Sequence, residues 1–115
     1  MIYQHEPNPL ACGQAVLGML CGEDALKVCE KLGNQRETTL KEMRDYLKKQ
    51  GLLMGEKTAA SEKTELPQIC VLSLETPRCW HWSLFREGVF YDPEHGVLND
   101  FPVSARKYYF EITSI

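Results

Sequence analysis

A chain of 115 residues, 43% of them hydrophobic and 25% charged, has the composition of one ordinary globular domain. Its net charge of −3 and its lack of a Lys/Arg cluster argue against a nucleic-acid-binding protein. No apolar run approaches the roughly 20 residues of a membrane-spanning helix, and the first residues predict no secretory signal. The sequence therefore predicts one domain over residues 1–115 that binds neither nucleic acid nor membranes.

The cysteines are odd in number and form no C-x-x-C pair. This argues against a disulfide framework or a zinc site and for a reducing compartment, so we expect a cytoplasmic protein without a cofactor or metal. A metal shared by Cys79, His81 and Cys12 is conceivable, but the ligand spacing gives it little support. The five cysteines are Cys12, Cys21, Cys29, Cys70 and Cys79.

The first predicted helix follows an entry segment, residues 1–11, whose two prolines favour an extended backbone. An apolar run over about 13–21 predicts a buried central helix that Gly22 ends. Cys12 therefore stands at or near a helix N-terminus, where free N–H groups and the helix dipole favour an anion. Because the thiolate is the reactive form of cysteine, Cys12 is a candidate nucleophile; the alternative is an inert buried cysteine. Gly13 is expected to let an acyl group approach the sulfur.

Two further helices are expected as scaffold, each ended by a glycine. One covers about 23–32, and the other starts at a capping box formed by Thr39 and Glu42 and runs to about residue 50. The polar stretch 55–66 lacks periodicity and predicts a loop.

Strand patterns replace helix patterns from Pro67 onward. The apolar run 68–74 predicts a central strand, and the runs 79–85 and 89–92 predict a hairpin around Glu87-Gly88. A last strand is expected over 107–112. The predicted fold class is α+β, with N-terminal helices packed on a C-terminal antiparallel sheet.

The predicted hairpin register tests whether the sequence can form a catalytic site. If Glu87 and Gly88 are the turn residues, Ser83 lies opposite Asp92, and His81 becomes the diagonal neighbour of Asp92. The carboxylate can then orient the imidazole while the other ring nitrogen faces a thiol. Taken singly, a core histidine and a turn aspartate are the simpler interpretations; together with Cys12 they favour a Cys–His–acid site.

Three segments resemble the papain-like cysteine peptidases: ACGQA at 11–15, WHWSL at 80–84 and YDP at 91–93. Among these peptidases, the chain is most similar to the bacterial double-glycine leader peptidases and their stand-alone relatives. The resemblance implies a papain-like fold with the central helix starting at the cysteine. It also implies Cys12 as nucleophile, His81 as general base and acid, and Asp92 as the orienting residue.

The resemblance further implies an upstream glutamine whose amide, with the Cys12 N–H, stabilises the oxyanion. Such relatives place it about six residues before the cysteine, where this chain has Glu6. Gln4 is the predicted substitute, reaching the site through a bulge in the proline segment; Gln14 and His5 are the other candidates.

The sequence thus predicts a thiol hydrolase that cleaves a peptide or amide bond in a peptide or protein substrate. Trp80, Trp82 and Phe90 are candidate walls of the substrate cleft, although core packing is an alternative role for them. Alternative functions are a glutamine deamidase or acyltransferase on the same triad, or a papain-like domain that only binds a peptide or partner protein. A small scaffold protein with coincidental residues is the third possibility, and the oligomeric state is left open.

Overall fold

The computed structural model describes residues 1–114, which form three helices followed by seven strands. The helices are α1 (Cys12–Cys21), α2 (Ala25–Leu32) and α3 (Leu40–Lys49). The strands are β1 (Leu52–Met54), β2 (Thr58–Ala60), β3 (Ile69–Glu75), β4 (Trp80–Arg86), β5 (Val89–Asp92), β6 (Gly96–Leu98) and β7 (Lys107–Ser114). The predicted α+β class, with helices preceding an antiparallel sheet, is confirmed. Over the described residues, no helix is long and apolar enough to cross a membrane.

The helix boundaries follow the capping residues. Cys12 is the first residue of α1, one position earlier than predicted, and Gly22 ends the helix with a left-handed φ of 68°. Asp24 caps α2 by accepting a hydrogen bond from the Leu26 N–H, so this helix starts later than predicted. Both reciprocal hydrogen bonds of the predicted capping box at the start of α3 are present.

The sheet is antiparallel, in the order β1-β7-β3-β4-β5-β6, and β2 pairs with β7. Strand β3 pairs with β4 over its whole length, from Ile69 opposite Arg86 to Glu75 opposite Trp80. The predicted loop over 55–66 is partly wrong, because β2 lies within it. That strand is short and mostly exposed, so no buried face imposes an alternating pattern on its sequence.

Strand β3 is buried on both faces and divides the core into two clusters. On one face, α1 and α3 pack against Val71, Leu84 and Phe110; on the other, Leu72 and Leu74 pack with Phe90. Every residue of α1 from Cys12 to Met19 is buried, as predicted for a central helix.

The first turn of α1 is fixed by close packing around Gly13. A Cβ at this position would lie 2.5 Å from the Thr38 Oγ1 atom and 3.1 Å from Trp82 Cδ1. The Trp82 indole N–H donates to the Thr38 carbonyl at 2.8 Å, and this hydrogen bond holds the two residues together. The space beside Gly13 is therefore filled by Thr38 and Trp82. The expectation that an acyl group would use this space is wrong.

Gln14 supports the same contact from within α1. It is fully buried; its amide nitrogen donates to the Arg36 carbonyl at 2.7 Å and its Oε1 accepts from the Thr38 hydroxyl at 2.9 Å. This side chain is thus used to hold the segment between α2 and α3, and it is not available as an oxyanion donor.

Replacing Gly13 with alanine tests how tightly this packing positions Cys12. Overpacking a dense core costs about 1–3 kcal/mol, whereas alanine gains about 1 kcal/mol over glycine in a helix. A contact of 2.5 Å with buried Thr38 calls for the upper part of that overpacking cost, about 2–3 kcal/mol. After subtracting the gain from alanine, we expect Gly13→Ala to lower the free energy of unfolding in urea by about 1–2 kcal/mol. The exposed α2 substitution Glu30→Ala is the control and should have little effect. A Gly13→Ala variant as stable as the wild type would contradict the packing argument.

Candidate active site

The β4–β5 hairpin has the predicted register. Glu87 and Gly88 form the turn with φ values of 49° and 84°, the positive values that a two-residue type I′ turn requires. Arg86 lies opposite Val89, and the strand pairing continues to Leu84 opposite Tyr91. The next step along both strands brings the Ser83 hydroxyl to within 2.7 Å of Asp92 Oδ1.

His81 and Asp92 form a buried pair, as the diagonal arrangement predicts. The His81 Nε2 atom lies 2.9 Å from Asp92 Oδ1, and both side chains are almost completely inaccessible. The carboxylate therefore fixes the orientation of the imidazole and leaves Nδ1 as the ring nitrogen that can face another group.

Asp92 is held by more than His81. Its Oδ2 atom accepts the backbone N–H groups of Glu94 and His95 at 3.1 and 2.9 Å and contacts the His95 ring at 2.8 Å. Burial alone would raise the pKa of Asp92, but the hydrogen bonds from His81, Ser83 and His95 hold that pKa well below its ordinary value. The carboxylate is thus ionised and immobile at neutral pH.

Cys12 lies beside the His81–Asp92 pair, at the point where β5 no longer pairs with β4. The Trp82 N–H lies beyond the paired part of β4 and β5 and donates to the Cys12 sulfur, with an N-to-S distance of 3.4 Å. The donor atoms of Cys12, His81 and Glu6 all lie within 4.8 Å of one another. Cys12 is only 5% exposed, so the sulfur sits at the floor of the site.

The electrostatics favour a protonated His81. Burial would lower the pKa of His81, but the hydrogen bonds to Asp92 and Cys12 and their charges raise it to about 10. The charged ring of His81 and the Trp82 N–H are thus both neighbours of the Cys12 sulfur. The geometry therefore assembles a thiol, a base and an orienting acid, the parts needed for nucleophilic catalysis.

Gln4 does not reach this site, contrary to the prediction. Its Nε2 atom donates to the Glu23 carbonyl at 2.8 Å, and its Oε1 atom accepts from the Ala25 N–H at 3.2 Å. These partners lie in the turn after α1, at the opposite end of the helix from Cys12. The amide therefore satisfies backbone groups between α1 and α2 and is not available to an oxyanion. His5 is exposed, and its ring contacts the Glu6 carbonyl oxygen.

Glu6 is the residue at the site that the prediction passed over. It is 6% exposed, and its backbone N–H donates to the Pro93 carbonyl at 2.8 Å, which fixes it beside Asp92. Its Oε2 atom is 3.8 Å from the Arg78 guanidinium. The signal that could have found it was its position about six residues before Cys12, where the resemblance places the oxyanion glutamine.

The same three donor atoms are also a set that a zinc ion accepts: carboxylate, thiolate and imidazole. In such a site, Asp92 would orient His81 as an outer-shell partner. The third donor is Glu6 and not Cys79, the residue considered from the sequence.

Of the three aromatic residues considered as cleft walls, Trp80 is the exposed one. It is 44% exposed and lies against Tyr108, with ring centroids 6.1 Å apart. Trp82 packs on Phe110, and Phe90 is buried in the second core cluster, so both contribute to the core. A cleft of about 490 Å³ opens beside His95, where Thr76, Pro77, Arg78, Leu98, Phe101 and Pro102 line it.

The raised pKa of His81 can be measured directly by NMR. With a pKa of about 10, the ring protons of His81 should show no titration near pH 6.5, the ordinary midpoint for histidine. Asp92→Asn removes the charge that stabilises the imidazolium, so we expect the His81 midpoint to fall by at least about one pH unit. Ser83→Ala is the matched control, because it removes one hydrogen bond to Asp92 and leaves the carboxylate in place. A wild-type His81 that titrates near its ordinary midpoint would refute the ion-pair description.

No known protein family matches this sequence, and a comparison with curated proteins finds no match either. Three residues from separate elements converge at one point: Cys12 from α1, His81 from β4 and Asp92 from β5.

Proposed function

We propose that the chain is a papain-like thiol hydrolase that cleaves a peptide or amide bond through an acyl-enzyme. The observation that carries the proposal is the buried His81, which bonds to Asp92 through Nε2 and has a ring nitrogen within 4.8 Å of the Cys12 sulfur. A scaffold protein has no use for an ionised aspartate, a charged imidazole and a thiol buried together, because each costs free energy to bury.

The proposed reaction has two halves. The Cys12 thiolate attacks the carbonyl carbon; the S–C bond forms, and the carbonyl π electrons move to the oxygen. As the oxyanion collapses, the C–N bond breaks and His81 gives its proton to the leaving amine. Water then attacks the thioester while His81 takes a proton from it, and cleavage of the C–S bond restores the thiolate.

One donor for the oxyanion is the Cys12 backbone N–H. Cys12 is the first residue of α1, and among residues 1–114 no side chain caps this helix through its N-cap residue, Ala11. The first N–H groups of a helix have no partner within the helix, and here they are buried at the site. A substrate oxygen supplies the partner that this helix end lacks.

A peptide or protein is the proposed substrate class. The cleft beside His95 offers apolar side chains of Leu98, Phe101 and Pro102 and an ion pair between Arg78 and Glu94. Exposed Trp80 lies at the start of β4. These surfaces suit an extended chain with an apolar residue near the scissile bond. All five cysteines are free thiols, which is compatible with the proposed cytoplasmic location.

A glutamine deamidase or acyltransferase would form the same acyl-enzyme and differ only in the leaving group or in the group that attacks the thioester. The binding-only alternative makes a different prediction, because it needs no reactive thiol. Alkylation of Cys12 therefore separates the catalytic functions from the binding function.

We expect iodoacetamide at about pH 6.5 to modify Cys12 at least about tenfold faster than the other cysteines, because only Cys12 is paired with an imidazolium. Burial raises the pKa of Cys21 to about 11, that of Cys70 to about 12 and that of Cys29 above its ordinary value, so these thiols should react slowly. Intact-mass measurement with peptide mapping gives the rate at each site.

His81→Ala should remove the excess reactivity of Cys12, and Cys79→Ser, at a half-buried cysteine outside the triad, should leave it unchanged. Equal labelling of all five cysteines would argue against a catalytic thiol and for the binding function. A Cys12→Ser variant that keeps the full biological effect would do the same.

A further inference from the structure

Glu6 is a buried carboxyl group that the proposed triad does not use. Its side chain is 4% exposed, and its Oε1 atom is the one buried side-chain atom without a hydrogen-bond partner among residues 1–114. A carboxyl oxygen of Glu6 lies within 4.8 Å of the Cys12 sulfur and of a His81 ring nitrogen. A buried, unpartnered oxygen beside two other metal-binding side chains indicates a ligand contact, because folding otherwise pairs such atoms.

The nearby guanidinium of Arg78 does not account for this carboxyl group. It lies 2.8 Å from a Glu94 oxygen but 3.8 Å from Glu6 Oε2, and its side chain is half exposed. Its close partner is therefore Glu94, and Glu6 Oε1 is left without a partner. Buried carboxylates in proteins are paired with a cation or coordinate a metal, so a metal ion suits the position of Glu6.

The chemistry of the three donors selects among metal ions. Thiolate and imidazole ligands favour zinc and related transition metals, whereas Mg²⁺ and Ca²⁺ require oxygen ligands. A Zn²⁺ ion bound by one thiolate and one carboxylate has no net charge, which suits a site where Cys12 is 5% and His81 2% exposed. The donor set thus matches zinc in charge as well as in ligand type.

The distances between the donor atoms also suit zinc. Bonds of about 2.0–2.3 Å place the ligand atoms of a tetrahedral zinc site roughly 3.3–3.7 Å apart. The three donor atoms lie within 4.8 Å of one another, so side-chain shifts of at most roughly 1.5 Å bring them to these separations. No hydrogen bond of Glu6 Oε1 has to break for this movement.

The fold already holds each of the three ligands in place. Asp92 bonds to His81 Nε2 at 2.9 Å and leaves Nδ1 for the metal, as in carboxylate–histidine–zinc sites. A backbone N–H of β4 donates to the Cys12 sulfur, and the Glu6 N–H donates to the Pro93 carbonyl at 2.8 Å. The N-terminal segment, α1 and β4 therefore supply one supported ligand each.

We propose that Glu6, Cys12 and His81 bind one Zn²⁺ ion and that this ion reversibly blocks Cys12 as a nucleophile. The block rests on the proposed function, whereas the binding site does not. On binding, the sulfur electron pair that would attack a carbonyl carbon is donated to zinc, and so is the nitrogen electron pair of His81. Protons held by these side chains are released to solvent, and removal of zinc restores both groups.

Cobalt reports directly on the sulfur ligand, because a thiolate bound to Co²⁺ gives an intense charge-transfer absorption. The full chain, treated with EDTA and then dialysed at about pH 7, should develop this band up to one equivalent of Co²⁺, and Zn²⁺ should remove it by displacing the cobalt. Mg²⁺ should not displace the cobalt. Cys12→Ser should abolish the band; a band that persists in this variant would overturn the site.

The carboxyl ligand is tested by Glu6→Gln. An amide is a poorer zinc ligand than a carboxylate, so this variant should bind zinc at least about tenfold more weakly than the wild type, measured by competition with a chromophoric chelator. Glu94→Gln is the matched control, because it removes a carboxylate beside the same guanidinium but outside the donor set; its zinc affinity should change by less than about threefold. A Glu6→Gln variant with wild-type affinity would overturn the assignment.

The block is measured by alkylation. Zinc should slow the reaction of Cys12 with iodoacetamide at least about tenfold, and EDTA should restore the rate. Cys79 lies outside the donor set and should react at the same rate with and without zinc. In Glu6→Gln, half-protection of Cys12 should require at least about tenfold more zinc than in the wild type.

The outcomes separate this inference from the proposed function. If Cys12 is alkylated rapidly in EDTA and His81→Ala slows it, but zinc neither binds nor protects Cys12, the zinc inference is overturned and the proposed function stands. If cobalt and zinc bind through Cys12 and Glu6, but Cys12 in EDTA is alkylated no faster than Cys79, the binding site stands and the block fails with the proposed function.

X-ray absorption at the zinc edge gives a test that needs no variant. The wild-type chain loaded with one equivalent of zinc should show one sulfur neighbour at about 2.3 Å and nitrogen and oxygen neighbours at about 2.0–2.2 Å. A spectrum with no sulfur neighbour, or with two, would overturn the site even if a Glu6 variant does not fold.

Discussion

The rest of the site depends on the hydrogen bonds that the Asp92 carboxylate accepts. It is fully buried and accepts hydrogen bonds from the Ser83 hydroxyl, the backbone N–H groups of the following turn, and two imidazole rings. One ionised group thus closes the turn after β5, fixes His81 and raises the pKa of that imidazole. Because the same turn anchors the N-terminal segment through Pro93, the acid also determines where Glu6 can lie.

Cys12 is held beside this pair by close packing together with a backbone hydrogen bond from Trp82. Gly13 allows Thr38 and Trp82 to approach the first turn of α1, and the Trp82 N–H bonds to the Cys12 sulfur. The N–H of Trp82 is available for this bond because the pairing of β4 with β5 ends before Trp82. A helix start that lacks a side-chain cap among the described residues is unfavourable by itself, and in the proposed reaction its free N–H groups would bond to the substrate oxygen.

The parts of this arrangement that sequence reasoning could predict are those with local rules. The Glu87-Gly88 turn and the two-residue period of a strand determine the hairpin register, so the His81–Asp92 contact followed from the sequence. Gln4 was misplaced because its amide can bond equally well to an oxyanion or to the backbone between α1 and α2, where it is found. No local sequence rule distinguishes these two sets of partners. Glu6 was passed over since its burial depends on the Pro93 contact, which joins residues far apart in the sequence.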